Sequence, residues 1–548
     1  MVHESGLPMA GTSTYDVVII GGGPAGAAAG RLLASWGLSI CILHKPADRA
    51  RGLGESVPPS TRKLLTAIGV LDGVERAGFY PTRGNTVWWG SREARVERFD
   101  RGDTGFQVFR PDFDELLLDE AARAGADIRR PAFVRRVDVA DDSLAHIECD
   151  LACGPSRVSC RFVLDCSGRA GVLGKAHRRI ESSYRMYAMV GVWCRPGGWP
   201  LPDETHTLVE TYEDGWAWSV PLSGTVRHVG AMVDGTSPRV ASGRTLADAY
   251  RREVAKALQL STVLHDADLQ RTWACDAALY SSDTYAGRRF LLVGDAGSFI
   301  DPLSSFGIKK ALASAWLAAI VANTCLTRPE RQSIAQDFFS RWEHDVYETH
   351  LRRSRDFARA AHAHHPHPFW ARRAATAVPP PDAVNEDDLL RTPPVQAAFD
   401  AFRHSPAINL ELADDVPVEQ EAVIRGREIV LEEAISLAGL PPSRVALRRA
   451  APERSVDGTA CATAGTPAPD ETGSGIARSI PVAQPFRAAP IRFLNNVDLL
   501  SLARIAGRHT QVPDVFEAYC RLHGPVPLPA VLGALSFLVA SGILRPRV

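Results

Sequence analysis

The stretch YDVVIIGGGPAGAAAGRLLASWGLSICILHK, residues 15 to 45, constrains this chain more than any other. An apolar strand, Val17 to Ile20, runs into Gly21-Gly22-Gly23-Pro24-Ala25-Gly26; a small-residue helix and a second strand, Ser39 to Leu43, follow. Gly21 permits a tight turn, Gly23 lets backbone amides approach a pyrophosphate, and Gly26 lets the helix pack on the strand. The helix start, at Pro24 and Ala25, offers free N–H groups and a positive dipole end to phosphates. Strand, turn, helix and strand in this order predict an α/β dinucleotide-binding fold. In such folds the second strand ends on Asp or Glu, which binds the ribose hydroxyls. Here it ends on His44-Lys45, so the charge-assisted pair of contacts is lost. A neutral imidazole still accepts one hydrogen bond.

The length, 548 residues, is too great for one core and points to two or three domains. With a formal net charge of −1, the chain carries no electrostatic footprint for nucleic acid or an anionic membrane, and neither is expected as a partner. The opening MVHESGLPMAGTST lacks a basic segment followed by an apolar one, so no secretory signal is expected. Ala311 to Leu326 is apolar but shorter than the ~20 residues a bilayer needs, and reads as a core helix. The ten cysteines show no paired CxxC spacing, which predicts buried thiols in a reducing cytoplasm. His362, His364, His365 and His367 lie close together, yet no carboxylate or cysteine is spaced to complete a metal site, and no metal is expected. Hydrolase and phosphotransferase signatures are missing.

Strands and helices alternate to about residue 375. AVPPPDAVNEDD, 377 to 388, then breaks the pattern. The expected organisation is a core over 14–375, a linker and accessory segment over 376–449, a flexible linker over 450–484 and a small helical module over 485–548. Within the accessory segment, Arg425-Gly426 either turns a hairpin or precedes a helix.

With GRRFLLVGDAGSFIDPLSSFGIKKAL added, the chain resembles the flavoprotein monooxygenases of the p-hydroxybenzoate hydroxylase class. Gly294-Asp295 matches their second FAD motif, in which the Asp binds the ribityl chain. FVLDCSGRAG (162 to 171) matches a strand and turn at the edge of the dinucleotide domain. GLGES, with Glu55 and Ser56, and FRPDFDELLLDEA, with Arg110, match segments flanking FAD. The resemblance implies an FAD-binding Rossmann-like domain with an inserted β-sheet substrate domain. It implies FAD as cofactor and NAD(P)H as reductant, directly or through a separate flavin reductase.

GWAWSVP (215 to 221) resembles the WxWxIP motif of flavin-dependent halogenases and their non-halogenating relatives. On a strand Trp216 and Trp218 face the same way, so two indoles form one wall that screens a reactive centre from water. Tryptophan halogenases carry a Lys in the segment that resembles YPTRGNTVWWG and a Glu in the stretch that resembles PLSSFGI. The implied equivalents here are Thr82 and Ser304, and Phe306-Gly307 replaces the Thr-Gly of the halide-binding turn. The resemblance therefore implies the halogenase scaffold without its halogenating residues. What it leaves is hydroxylation of an aromatic ring through a flavin C4a-hydroperoxide. Ser304, Ser305 and Phe306 stand at the catalytic turn, and one serine is expected to cap the following helix. Gly307 and Ile308 begin that helix, whose positive end faces the flavin in this family. Lys309 and Lys310 either reinforce that field or are solvated surface residues.

Residues 485–548 resemble, in helix pattern, the small winged-helix folds that grip leader peptides in peptide-modifying systems. A tethered recognition module on such an oxygenase is similar to the monooxygenases that mature tryptophan-derived quinone cofactors. The implied substrate is a tryptophan on a peptide or protein. Two other functions fit the same scaffold: an aromatic halogenase with unusual residues, and a non-catalytic flavoprotein assembly factor.

Overall fold

The computed structural model describes residues 14–99, 104–140, 143–235, 246–378, 389–414, 416, 418–436 and 491–547. The chain forms two compact units that divide between Pro379 and Pro380.

In the first unit the strand Thr14–Ile20 lies between the parallel strands Gly154–Asp165 and Ile40–Leu43. Phe290–Leu292 and Asp127–Arg129 extend the same parallel arrangement on either side. Helices cover a parallel sheet on both faces, so its strands read as unbroken apolar runs. Val17 to Ile20 and Ile40 to Leu43 are buried throughout. The helix Pro24–Ser35 packs against helices Arg110–Arg123 and Gly307–Thr327. Gly307–Thr327 is long and apolar enough to cross a membrane by length and composition, but its Ala-rich faces are buried in this core.

A second sheet of seven strands runs in the order Asp268–Asp276, Met186–Cys194, Val226–Asp234, Gly215–Pro221, Thr207–Tyr212, Gly84–Trp88 and Arg95–Arg98. It is the inserted sheet expected from the sequence. Alternate residues feed two cores: Trp216 and Met232 on one face, Ala217 and Ala231 on the other. A three-stranded sheet, Gly54–Val57, Gly105–Phe109 and Tyr80–Thr82, carries Glu55 and Ser56.

Among its described residues, the second unit contains the helices Pro393–His404, Leu499–Ala506, Val512–His523 and Leu528–Ala540. Its core draws Leu389, Val395, Ile408, Leu410 and Ile435 together with Leu499, Val515 and Leu535. The strand Leu410–Leu412 pairs antiparallel with Leu544–Pro546. This corrects the module start at residue 485: residues 389–435 supply part of the same core, because the last helices alone leave an apolar face uncovered. The choice left open at Arg425-Gly426 resolves as a hairpin, Val418–Arg425 with Glu428–Ile435, with Gly426 at φ +61 in its turn. The flexible linker assigned to 450–484 lies outside the described residues.

Candidate functional site: a cavity with a nucleotide end and an aromatic end

A cavity of about 730 Å³, within the ordinary range for a small-molecule site, opens in the first unit. Gly21 to Ala25, His44, Lys45, Glu55, Ser56 and Arg110 line one part of it. Trp216, Trp218, Val209, Val220 and Phe299 to Ile300 line another, and Asp295, Ser305, Gly307 and Ile308 also face it.

The glycines of the turn serve two purposes that the structure separates. A Cβ on Gly21, at φ +103, would stand 2.4 Å from the carbonyl oxygen of Cys166, and one on Gly26 would stand 1.8 Å from that of Gly21. Both positions are glycine because the protein itself leaves no room. Gly23 differs: a Cβ there would have its nearest neighbours, Asp114 Oδ2 and Arg110, at 3.8 and 3.9 Å. The protein leaves that space open at the N-terminus of the helix Pro24–Ser35, where backbone N–H groups favour an anion. This cradle fits the pyrophosphate of a dinucleotide. Beside it Arg110 bridges Glu55 (2.6 Å) and Asp114 (2.9 Å). Asp114 is a site residue the sequence reading missed, although its i,i+4 spacing from Arg110 was visible.

Behind Gly294-Asp295 lies a buried polar network. Lys310 is buried, donates to the carbonyls of Gly294 and Ser298, and sits 3.7 Å from Asp295 Oδ1. It is thus neither a surface residue nor a free cation in the cavity. Gly294 N–H donates to Ser314 Oγ. Glu343, wholly buried on the helix Gln332–His362, is pushed up to about 7 by burial, with Lys310 opposing. Lys309 donates to Ser60 Oγ at 3.0 Å and lies over the Phe306 ring; burial, with Arg353 and Lys63, lowers its pKa.

The catalytic turn departs from expectation. Phe306 occupies the N-cap position of the helix Gly307–Thr327 and makes no side-chain cap. Asp301 accepts from Leu303 N–H and closes the turn Pro302–Ser304 that precedes the helix. Ser305 holds a left-handed conformation, φ +52, and lines the cavity. The Ser304 side chain lies outside the described residues. Phe306 packs on the His350 ring at 5.4 Å and is not among the cavity-lining residues.

At the aromatic end, Trp216 and Trp218 share one face of their strand, as the alternation requires. Trp218 lies across Gly230 on the neighbouring strand, where a Cβ would stand 2.3 Å from the indole. Thr82 does not join them. It is buried in the three-stranded sheet, against Gly105, and does not line the cavity. Pairing with the strand Gly105–Phe109 turns its side chain into protein. Thr207, Val209, Phe299, Ile300 and Leu303 were missed, because only the fold brings these ordinary apolar and small residues to one wall. In the His-rich segment, His365 contacts Thr211 Oγ1 and His367 caps the helix Pro368–Ala374.

Comparison with known proteins agrees with this geometry. Residues 14–321 match the model of the FAD binding domain family. The chain is 29% identical over 338 residues to a tryptophan 2-halogenase of Chondromyces crocatus, covering 60% of this chain and 65% of the relative. It is 30% identical over 353 residues to the flavin-dependent halogenase armH3 of Armillaria mellea, covering 57% and 68%. Among solved structures, the peptidyl tryptophan dihydroxylase QhpG, essential for tryptophylquinone cofactor biogenesis, shares the fold at 24% identity and a TM-score of 0.58, over 77% of this chain and 87% of that one. The chain belongs to the FAD-binding flavoprotein family that holds the flavin-dependent halogenases and monooxygenases.

Proposed function

We propose that the chain is an FAD-dependent monooxygenase that hydroxylates an electron-rich aromatic ring, a tryptophan on a peptide or protein. The observation that carries this reading is the wall of Trp216 and Trp218 in a cavity whose only lysine, among the described residues, is Lys45 beside His44. Bound FAD, reduced by NAD(P)H or a separate reductase, supplies activated dioxygen. The chain's own residues then position and exclude. Val209, Val220 and the two indoles keep water from the ring, and the start of the helix Gly307–Thr327 presents its positive dipole end beside the cavity. The residues that line the cavity from the strand of the indoles and its partner strand, Thr207, Val209 and Val220, carry no acid or base, so the substrate must bring its own reactivity. The second unit recognises the macromolecular substrate, so removing residues 380–548 should raise KM for a protein substrate and leave flavin binding intact.

Mass spectrometry of a tryptophan-containing peptide after reaction under ¹⁸O₂ tests the reading: label in the ring supports it. A second reading, halogenation, is favoured by the halogenase relatives and by Lys309 next to the catalytic turn, an amine that burial holds below the usual lysine range. A bromine isotope doublet in saturating bromide, abolished in Lys309→Met, would replace the first reading with the second.

A further inference from the structure

At the nucleotide end the departure from the acidic pattern has a definite polarity. Gly22 N–H donates to His44 Nδ1 at 3.1 Å. A backbone N–H only donates, so Nδ1 holds the lone pair and the neutral ring carries its proton on Nε2. The neutral form is favoured by burial and by Arg130, with Asp114 and Glu115 acting the other way. The contact depends on Gly22, where a Cβ would stand 2.8 Å from Nδ1. With its single acceptor used on Gly22, the imidazole faces the cavity as a donor, in company with Lys45 and Arg135. An aspartate or glutamate in this place offers only acceptors, and a negative charge besides.

We propose that His44 sets the nucleotide specificity of this site: it donates to an acceptor on the adenosine ribose and admits a phosphorylated ribose that a carboxylate would repel. In FAD the acceptor is a ribose hydroxyl oxygen, reached by one contact in place of the usual two. The inference rests on the FAD-binding assignment and is independent of the reaction catalysed.

The test is displacement of FAD from the full-length protein, followed by flavin fluorescence, with 5′-AMP and adenosine 2′,5′-bisphosphate as competitors. The bisphosphate should compete at least as well as AMP. In His44→Glu the ratio should shift against the bisphosphate by about tenfold or more, the size of one charge-assisted contact. His44→Gln, whose amide both accepts from Gly22 and donates to the cavity, should keep the wild-type ratio. His44→Leu, which removes the donor without adding charge, should lower the bisphosphate's advantage and decides the matter if the Glu variant does not fold. The proposal is overturned if the bisphosphate binds the wild type about tenfold more weakly than AMP. A ratio unchanged in both the Glu and Leu variants overturns it too, as does failure of either nucleotide to displace FAD.

Discussion

The two ends of the cavity are built in opposite ways. The nucleotide end comes largely from one continuous stretch, Gly21 to Lys45, in which backbone geometry does the work. The aromatic end is assembled from Val209, Trp216, Val220 and Phe299, on different strands and loops, in which side chains do the work. The first end tolerates no variation at positions where the main chain itself collides. The second is free to vary wherever another apolar residue fills the same space. A binding function can therefore persist in such a scaffold while the chemistry at the far end changes.

The contrast is most easily broken at Gly23. Gly23→Val should leave the apoprotein folded, since the protein crowds that position least among the glycines of the turn, and cost at least about 4 kcal/mol of FAD affinity, roughly a thousandfold. Flavin content and thermal melting, measured together, check this; a Val variant with full flavin would show that the open space is not the pyrophosphate cradle. Gly26→Val, by contrast, should fail to fold.

Glu343 lies behind Asp295, and its effect should be on stability. Its folded pKa, about 7, is above the ordinary glutamate value, so it favours the folded state below about pH 4.5 and that contribution is lost as pH rises through 7. Glu343→Gln should therefore gain on the order of 3 kcal/mol over the wild type at pH 8 and converge with it below pH 5. Denaturant titrations at the two pH values give the comparison; equal stability at pH 8 would mean that Lys310 fully offsets the burial.

Arg110→Ala should weaken FAD by about 2 kcal/mol, because Glu55 and Asp114 then face an anionic ligand without their shared cation. Raising the salt concentration should recover part of the loss. The smallest effect belongs to the aromatic end. Trp218→Ala should preserve flavin binding and lower the product formed per reductant consumed by about fivefold, roughly 1 kcal/mol, as water enters beside the flavin. Unchanged coupling would remove the indole from the water-excluding wall.

How much of this was legible in the sequence follows the same division. The turn could be read because it depends on short-range spacing, whereas Arg110, Asp295 and the inserted sheet came from the family resemblance of short segments. Trp216 and Trp218 could be read because alternation on one strand is local. Thr82 was misplaced because a matching segment says which strand a residue occupies, but not which face that strand buries after pairing with Gly105–Phe109. That Phe306 takes the N-cap position of the helix Gly307–Thr327 could not be read, because only the backbone path through the turn Pro302–Ser304 fixes where the helix begins. The core of the second unit was cut too short because its pairing joins residues on either side of a long intervening segment.

That last pairing also bears on how the chain is made. The strand Leu544–Pro546 completes the second unit by pairing with Leu410–Leu412, so this unit cannot close until Pro546 has left the ribosome. The first unit is complete at Pro379. At ordinary translation rates of about 5–20 residues per second, it has roughly ten to thirty seconds in which to fold and take up flavin alone. The residues that line the flavin cavity therefore all lie in the unit that is synthesised first, and all are available before the second unit can close.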